Sequence, residues 1–125
     1  MPSKRATDRY QQHAIELVEK LLETLADLRR NTRATETSVR RALKLAKDGA
    51  DVSVVLRATN PADIRQSMND ALKAVEEARR QVRLQIFELG LDEGLSIGEL
   101  GRVFGFSRQL AARYAKEARG VSPGS

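Results

Sequence analysis

The chain has 125 residues, a formal net charge of +5, 4% aromatic residues and no cysteine or tryptophan. That length suits one ordinary domain or two small ones, and the missing thiols exclude disulfides and thiolate metal sites and fit a reducing cytosol. No apolar run approaches the 18 residues that a membrane span needs, and the scarcity of large rings predicts that no compact aromatic core forms.

The opening MPSKRATDRY lacks the apolar segment of a secretory signal, and residues 1–6 are expected to be flexible. Thr7 or Asp8 can cap a helix that meets no proline or glycine before Asp48. Such a helix has about 40 residues and a length of about 60 Å. Along it Ala14, Val18, Leu21, Leu25, Leu28, Thr32, Thr35, Val39, Ala42 and Ala46 alternate in steps of four and three. That is the coiled-coil spacing. Val18, Leu21, Leu25, Leu28 and Val39 are the expected hairpin or dimerisation seam, widened by Ile15, Leu22 and Leu43. Asp48-Gly49 ends the helix.

Residues 50–59 read as a short helical turn capped by Asp51, with Val52, Val55 and Leu56 folded inward. Asn60-Pro61 is a helix start: asparagine caps, proline takes the first position, and Asp63 sits near the positive helix end. The expected heptad row of this helix is Ile64, Met68, Ala71, Val75, Ala78, Val82, Gln85 and Leu89. Gly90 is expected to end it, leaving residues 91–94 as a connection. Two heptad helices joined by a short link predict an antiparallel hairpin. A single long dimeric coil built on the first helix uses the same residues.

LSIGELGRVFGFSRQLAARYAKEARG (95–120) carries the functional signal. Ser96 and Glu99 form a capping box. Ile97, Leu100 and Phe104, with Val103, share one helical face. Gly105 falls where a left-handed helix end is needed, and Ser107 can cap a second helix over residues 108–119. Leu110, Ala111, Tyr114, Ala115 and Ala118 form its inner stripe. Two short helices around a tight glycine turn make a helix-turn-helix.

This stretch resembles the helix-turn-helix of bacterial transcription regulators, in the variety found in region 4 of sigma factors and in resolvase-like domains. The family pattern asks for apolar Leu100, small Gly101, apolar Phe104, Gly105 in the turn, apolar Phe106 and a polar Ser107-Arg108-Gln109 start. The chain departs from it at Ala111, where a branched aliphatic is preferred. Glycine at 101 in place of the usual alanine costs about 1 kcal/mol of helix propensity. The resemblance covers about a fifth of the chain.

The resemblance implies that the second helix lies in the DNA major groove, with Arg108, Gln109, Ala112 and Arg113 at the bases. Ser107, Arg102, Lys116 and Arg119 are then set against the backbone. Charge agrees: residues 95–120 hold five basic and two acidic side chains. A structural helix pair without DNA is the alternative. A second basic group, Arg33, Arg40, Lys44 and Lys47, reads either as a further DNA surface or as a solvated helix face.

The sequence therefore predicts an all-α chain: a long antiparallel coiled-coil-like helical hairpin followed by a C-terminal helix-turn-helix. The expected division is 1–6 flexible, 7–78 hairpin and dimerisation, 79–120 DNA-binding, and 121–125 a flexible tail. The expected function is sequence-specific binding of double-stranded DNA as a homodimer, in a bacterial or phage regulator of the cytoplasm and nucleoid. An architectural, plasmid-partition or nucleoid-associated protein that assembles along DNA is the first alternative. A coiled-coil adaptor for RNA polymerase or another protein is the second. No phosphate-cradling glycine loop, activated nucleophile or metal-ligand spacing is present, so neither an enzyme nor a cofactor or metal is expected.

Overall fold

The computed structural model describes the backbone of residues 3–120 and the side chains of residues 11–120. The described residues are all-helical: α1 (Ser3–Lys47), α2 (Val52–Thr59), α3 (Pro61–Asp92), α4 (Ile97–Phe104) and α5 (Arg108–Gly120). The expected tail at 121–125 lies outside them, as do residues 1 and 2. Among the described residues no helix is long and apolar enough to cross a membrane.

Several ends differ from the sequence reading, each for a local reason. α1 begins at Ser3, ahead of the Thr7–Asp8 cap. Lys4, Arg5 and Ala6 are good helix formers, and nothing between Ser3 and Thr7 breaks the pattern. α1 ends in a Schellman motif: the Gly49 N–H donates to the Ala46 carbonyl (3.1 Å) and the Ala50 N–H to the Leu45 carbonyl (3.0 Å). α3 runs through Gly90 to Asp92. Gly90 is not a terminator but a buried packing position. A Cβ there would lie 2.8 Å from Leu100 Cδ2. The chain turns instead at Gly94, where the Leu95 N–H reaches back to the Gly90 carbonyl at 2.9 Å.

Within residues 50–59 a true helix, α2, spans Val52–Thr59, with Asp51 at its N-cap but without a side-chain cap bond. Val52 and Leu56 point outward, at 73% and 49% exposure, and Val55, Ala58 and Thr59 are the covered positions. Asn60 closes α2 in the left-handed conformation (φ 48°) while its side-chain amide donates to Asp63 Oδ2 at 2.6 Å. It thus works at both sides of the Asn60-Pro61 junction.

The chain divides into two compact units, one of Met1–Leu21 with Ala78–Ser125 and one of Leu22–Glu77. The break in α3 falls between Glu77 and Ala78, and the first part of α1 groups with the C-terminal residues.

Unit 22–77 has few buried residues: Thr24, Ala71 and Val75. The α3 positions that are covered there, Ile64, Met68, Ala71 and Val75, are those of its expected heptad row, and Ala78, Val82, Gln85 and Leu89 continue it along the same helix. The covered row of α1 is different. It runs Ala14, Leu17, Leu21, Thr24, Leu28, Asn31, Thr35, Ser38, Ala42 and Leu45. The steps are again three and four, but the row shares only every second position with the expected one. Leu21 and Leu28 of the expected seam are covered. Val18, Leu25 and Val39 are exposed at 42%, 42% and 57%.

The unit containing residues 78–120 holds the better core. From Arg80 to Leu91 every α3 residue is partly or fully buried. Leu84, Phe87, Leu100, Ala111, Ala115 and Ala118 form the cluster, and Phe87 is fully buried. Contrary to the composition argument, a compact group of rings does form. Four of the five rings in the chain gather here, with Phe87 within 5.7–6.3 Å of Phe104, Phe106 and Tyr114. Composition limits how many rings there are, not whether they share one site.

Candidate nucleic-acid interface

α4 starts where the capping box places it. The Ser96 hydroxyl accepts from the Glu99 N–H at 3.0 Å, a bond that contributes about 1 kcal/mol to a helix start. Leu100 and Gly101 are buried, and Ile97 and Phe104 are partly so. Val103 departs from the expected face. It is 79% exposed, the most exposed large apolar residue described. One residue short of Phe104, it has rotated about 100° out of the core.

The α4–α5 turn is built on Gly105. Its φ of 72° is disfavoured for any residue with a Cβ. This lets the Phe106 N–H donate to the Gly101 carbonyl at 2.8 Å and the Gly105 N–H to that of Arg102 at 3.2 Å. Phe106 then drops into the aromatic group, 5.4 Å from Phe104 and 5.0 Å from Tyr114. Ser107 caps α5, its hydroxyl accepting from the Leu110 N–H at 3.1 Å.

α4 and α5 approach most closely at Gly101. A Cβ on Gly101 would sit 2.8 Å from that of Ala111, which is 1% exposed. The two departures from the family pattern are therefore one feature. Glycine at 101 leaves room for the Ala111 methyl, and a branched aliphatic at 111 would meet the α4 backbone.

The inner stripe of α5 faces the core: Ala111, Ala115 and Ala118 are buried, and Leu110 and Tyr114 are partly buried. Arg108, Gln109, Ala112, Arg113, Lys116 and Arg119 are all exposed, as are Ser107 and Arg102. Gln109, Ala112, Arg113 and Lys116 follow steps of three, one and three, which puts them on one helical face. Glu117, the one acid of α5, is turned away. It is partly buried and ion-paired with Arg80 of α3. Among the described residues no ion pair engages Arg108, Arg113, Lys116 or Arg119.

Two residues that the sequence reading did not single out complete this unit. Arg80 holds Glu117, and Arg83 lays its guanidinium over the rings of Phe106 and Tyr114, at 5.9 and 5.4 Å from the centroids. Arg83 Nε is buried without a hydrogen-bond partner among the described residues. The signal in the sequence was their spacing. Arg83 precedes Phe87 by one helical turn, so both meet the same aromatic group.

The second basic group belongs to unit 22–77. Arg33, Arg40, Lys44 and Lys47 are exposed on α1. Arg40 pairs with Glu36 at 3.7 Å, and no ion pair engages Arg33, Lys44 or Lys47 among the described residues. No cluster of metal-ligating side chains occurs among the described residues.

Comparison with known protein families, with curated proteins and with solved structures finds no match.

Proposed function

We propose that α4 and α5 form a DNA-binding helix-turn-helix and that the chain is a sequence-specific, homodimeric regulator of bacterial or phage type, acting in the cytoplasm at the nucleoid. The observation that carries this reading is the outward face of α5. Four cations and Gln109 lie on a helix whose single acid is drawn to Arg80. A solvated helix face in a small bundle usually mixes charges of both signs, and this one does not. Arg108 and Arg113 have the two-pronged donors that match guanine, and Gln109 matches adenine. Ser107, Arg102, Lys116 and Arg119 are placed for phosphates. The aromatic group behind Phe106 gives the reading helix a rigid seat, which base discrimination requires. In this proposal the long helices α1 and α3 run as an antiparallel hairpin that serves dimerisation.

The test is DNA binding against salt, with a selected motif pool and random duplex, for the wild type and Arg113→Ala. The proposal expects selection of one motif, weakened by about 1–3 kcal/mol in Arg113→Ala. Sequence-blind binding that falls steeply with salt favours the architectural reading, to which Arg33, Arg40, Lys44 and Lys47 would contribute. Absence of binding at low salt refutes both and leaves an adaptor for polymerase or another protein.

A further inference from the structure

α1 carries two heptad rows, one residue apart. The first, containing Leu17, Leu21, Thr24 and Leu28, is covered within the chain. The second begins at Ile15 and continues in steps of three and four through Ala46. Its apolar members Ile15, Val18, Leu22, Leu25, Val39 and Leu43 are 42–61% exposed. Its middle is polar: Arg29, Thr32 and Glu36. The exposed row is richer in large apolar residues than the covered one, which holds Thr24, Asn31, Thr35 and Ser38. An apolar strip of this length and regularity is a coiled-coil surface lacking its partner helix.

Charge identifies the partner. Residues 11–28 hold four acidic side chains and one lysine, whereas residues 29–47 hold seven basic side chains and one glutamate. A second copy laid antiparallel sets the acidic half of each helix against the basic half of the other. A parallel copy would set like on like and Arg29 on Arg29. We propose that this row is the homodimer interface, with two α1 helices antiparallel about a two-fold axis between Arg30 and Asn31. It gives the dimer of the preceding section a face and does not depend on DNA.

The register follows from matching the rows. With the axis at that point, Leu22 meets Val39 of the partner subunit, Val18 meets Leu43 of the partner subunit, and Ile15 meets Ala46 of the partner subunit. Each pair occurs twice. At the centre Arg29 lies opposite Thr32 of the partner subunit and one turn from Glu36 of the partner subunit, and Leu25 packs its stem against that of Glu36 of the partner subunit. On the flank Glu19 faces Arg40 of the partner subunit. Sliding by one heptad either way leaves one large apolar pair in place of two, Leu25 with Leu43 or Ile15 with Val39, and sets Leu22 against Ala46 or Thr32. The paired strip, Ile15 to Ala46, is about 47 Å long.

The absence of cysteine makes the test clean. Full-length Leu22→Cys and Val39→Cys chains are mixed and oxidised, and each is also oxidised alone. The expected result is a disulfide only in the mixture, since Leu22 and Val39 lie about 25 Å apart along one helix. A disulfide in Leu22→Cys alone overturns the antiparallel arrangement, and none in the mixture overturns the register. Sedimentation of the full chain without DNA should show a dimer. Leu22→Glu/Val39→Glu should raise its dissociation constant at least about a hundredfold, because each change counts twice across the axis. Circular dichroism should show helix retained, since both positions are exposed in the single chain. A monomer at every concentration, or a dimer indifferent to this variant, refutes the interface. Glu19→Arg should weaken the dimer and Glu19→Arg/Arg40→Glu should restore it. These surface changes leave the fold alone, and no restoration counts against the pairing. None of these measurements uses DNA, so the interface and the reading helix fail separately.

Discussion

Replacing Gly101 by alanine separates two physical effects of opposite sign. By helix propensity alone, Gly101→Ala inside α4 stabilises by about 1 kcal/mol. By packing, the new methyl sits 2.8 Å from the Ala111 Cβ. Neither atom can rotate away, because a Cβ is fixed by its backbone. α4 and α5 must therefore move apart against a buried core, and overpacking of this kind costs about 1–3 kcal/mol. The net expectation is destabilisation by up to about 2 kcal/mol. Gly98→Ala is the control, since a Cβ there meets only Arg102 Nη1 at 3.6 Å and Ser96 Oγ at 3.8 Å. It should be neutral or stabilise by a few tenths to about 1 kcal/mol. Urea unfolding followed by near-ultraviolet circular dichroism reports on this unit, because Tyr114 lies in its aromatic group. Gly101→Ala/Ala111→Gly should recover most of the loss. If Gly101→Ala stabilises as much as Gly98→Ala, the close approach is wrong, and with it the account of why Ala111 is small.

Phe87→Ala should cost about 3–5 kcal/mol in the same unfolding assay, since it removes a fully buried ring that touches three others. Gly105→Ala should cost about 1–2 kcal/mol through its φ of 72°, and Gly105→Asn should cost less. Val103→Ser should change stability by no more than about 0.5 kcal/mol, because the side chain is 79% exposed. Arg80→Ala should cost at most about 1 kcal/mol, since both partners of its ion pair are about 40% exposed. It should also free Glu117 on the acid-poor helix and weaken the proposed DNA binding, a loss that Arg80→Ala/Glu117→Gln reverses.

The short elements were legible because their signals are local. Ser96 and Glu99 specify a helix start within four residues, and Gly105 specifies its end. The alternation of Ala111, Ala115 and Ala118 with Arg108, Gln109 and Arg113 sorts α5 into two faces. Gly90 was misread because a glycine that ends a helix and one that admits a neighbouring leucine look alike in sequence, and only the position of Leu100 distinguishes them. Val103 and Phe104 are adjacent apolar residues, and the pattern alone does not say which turns inward. The α1 seam was half legible for a related reason. Positions 14, 21, 28, 35 and 42 belong to both candidate rows. The alternates at 18, 25 and 39 are valine and leucine, whereas those at 24, 31 and 38 are threonine, asparagine and serine. Apolar periodicity selects the first set, and the fold covers the second.

That choice bears on how α1 gains its stability. Turning the helix by one residue would exchange Thr24 and Ser38 for Leu25 and Val39 on the covered face. Each additional buried methylene is worth about 0.8 kcal/mol. The single chain forgoes this gain, keeping Ala14, Thr24, Ser38 and Ala42 inward where Ile15, Leu25, Val39 and Leu43 point outward. An isolated helix of this size is also not held by propensity alone, since helical stability in water comes mainly from packing an apolar face. Burying the outer row against a second copy recovers the area that the covered row leaves unused, with opposite charges already aligned. The melting temperature of α1 should then rise with protein concentration, while that of the aromatic unit around Phe87 should not. Near- and far-ultraviolet signals that melt together at every dilution would show that the inner row alone holds α1.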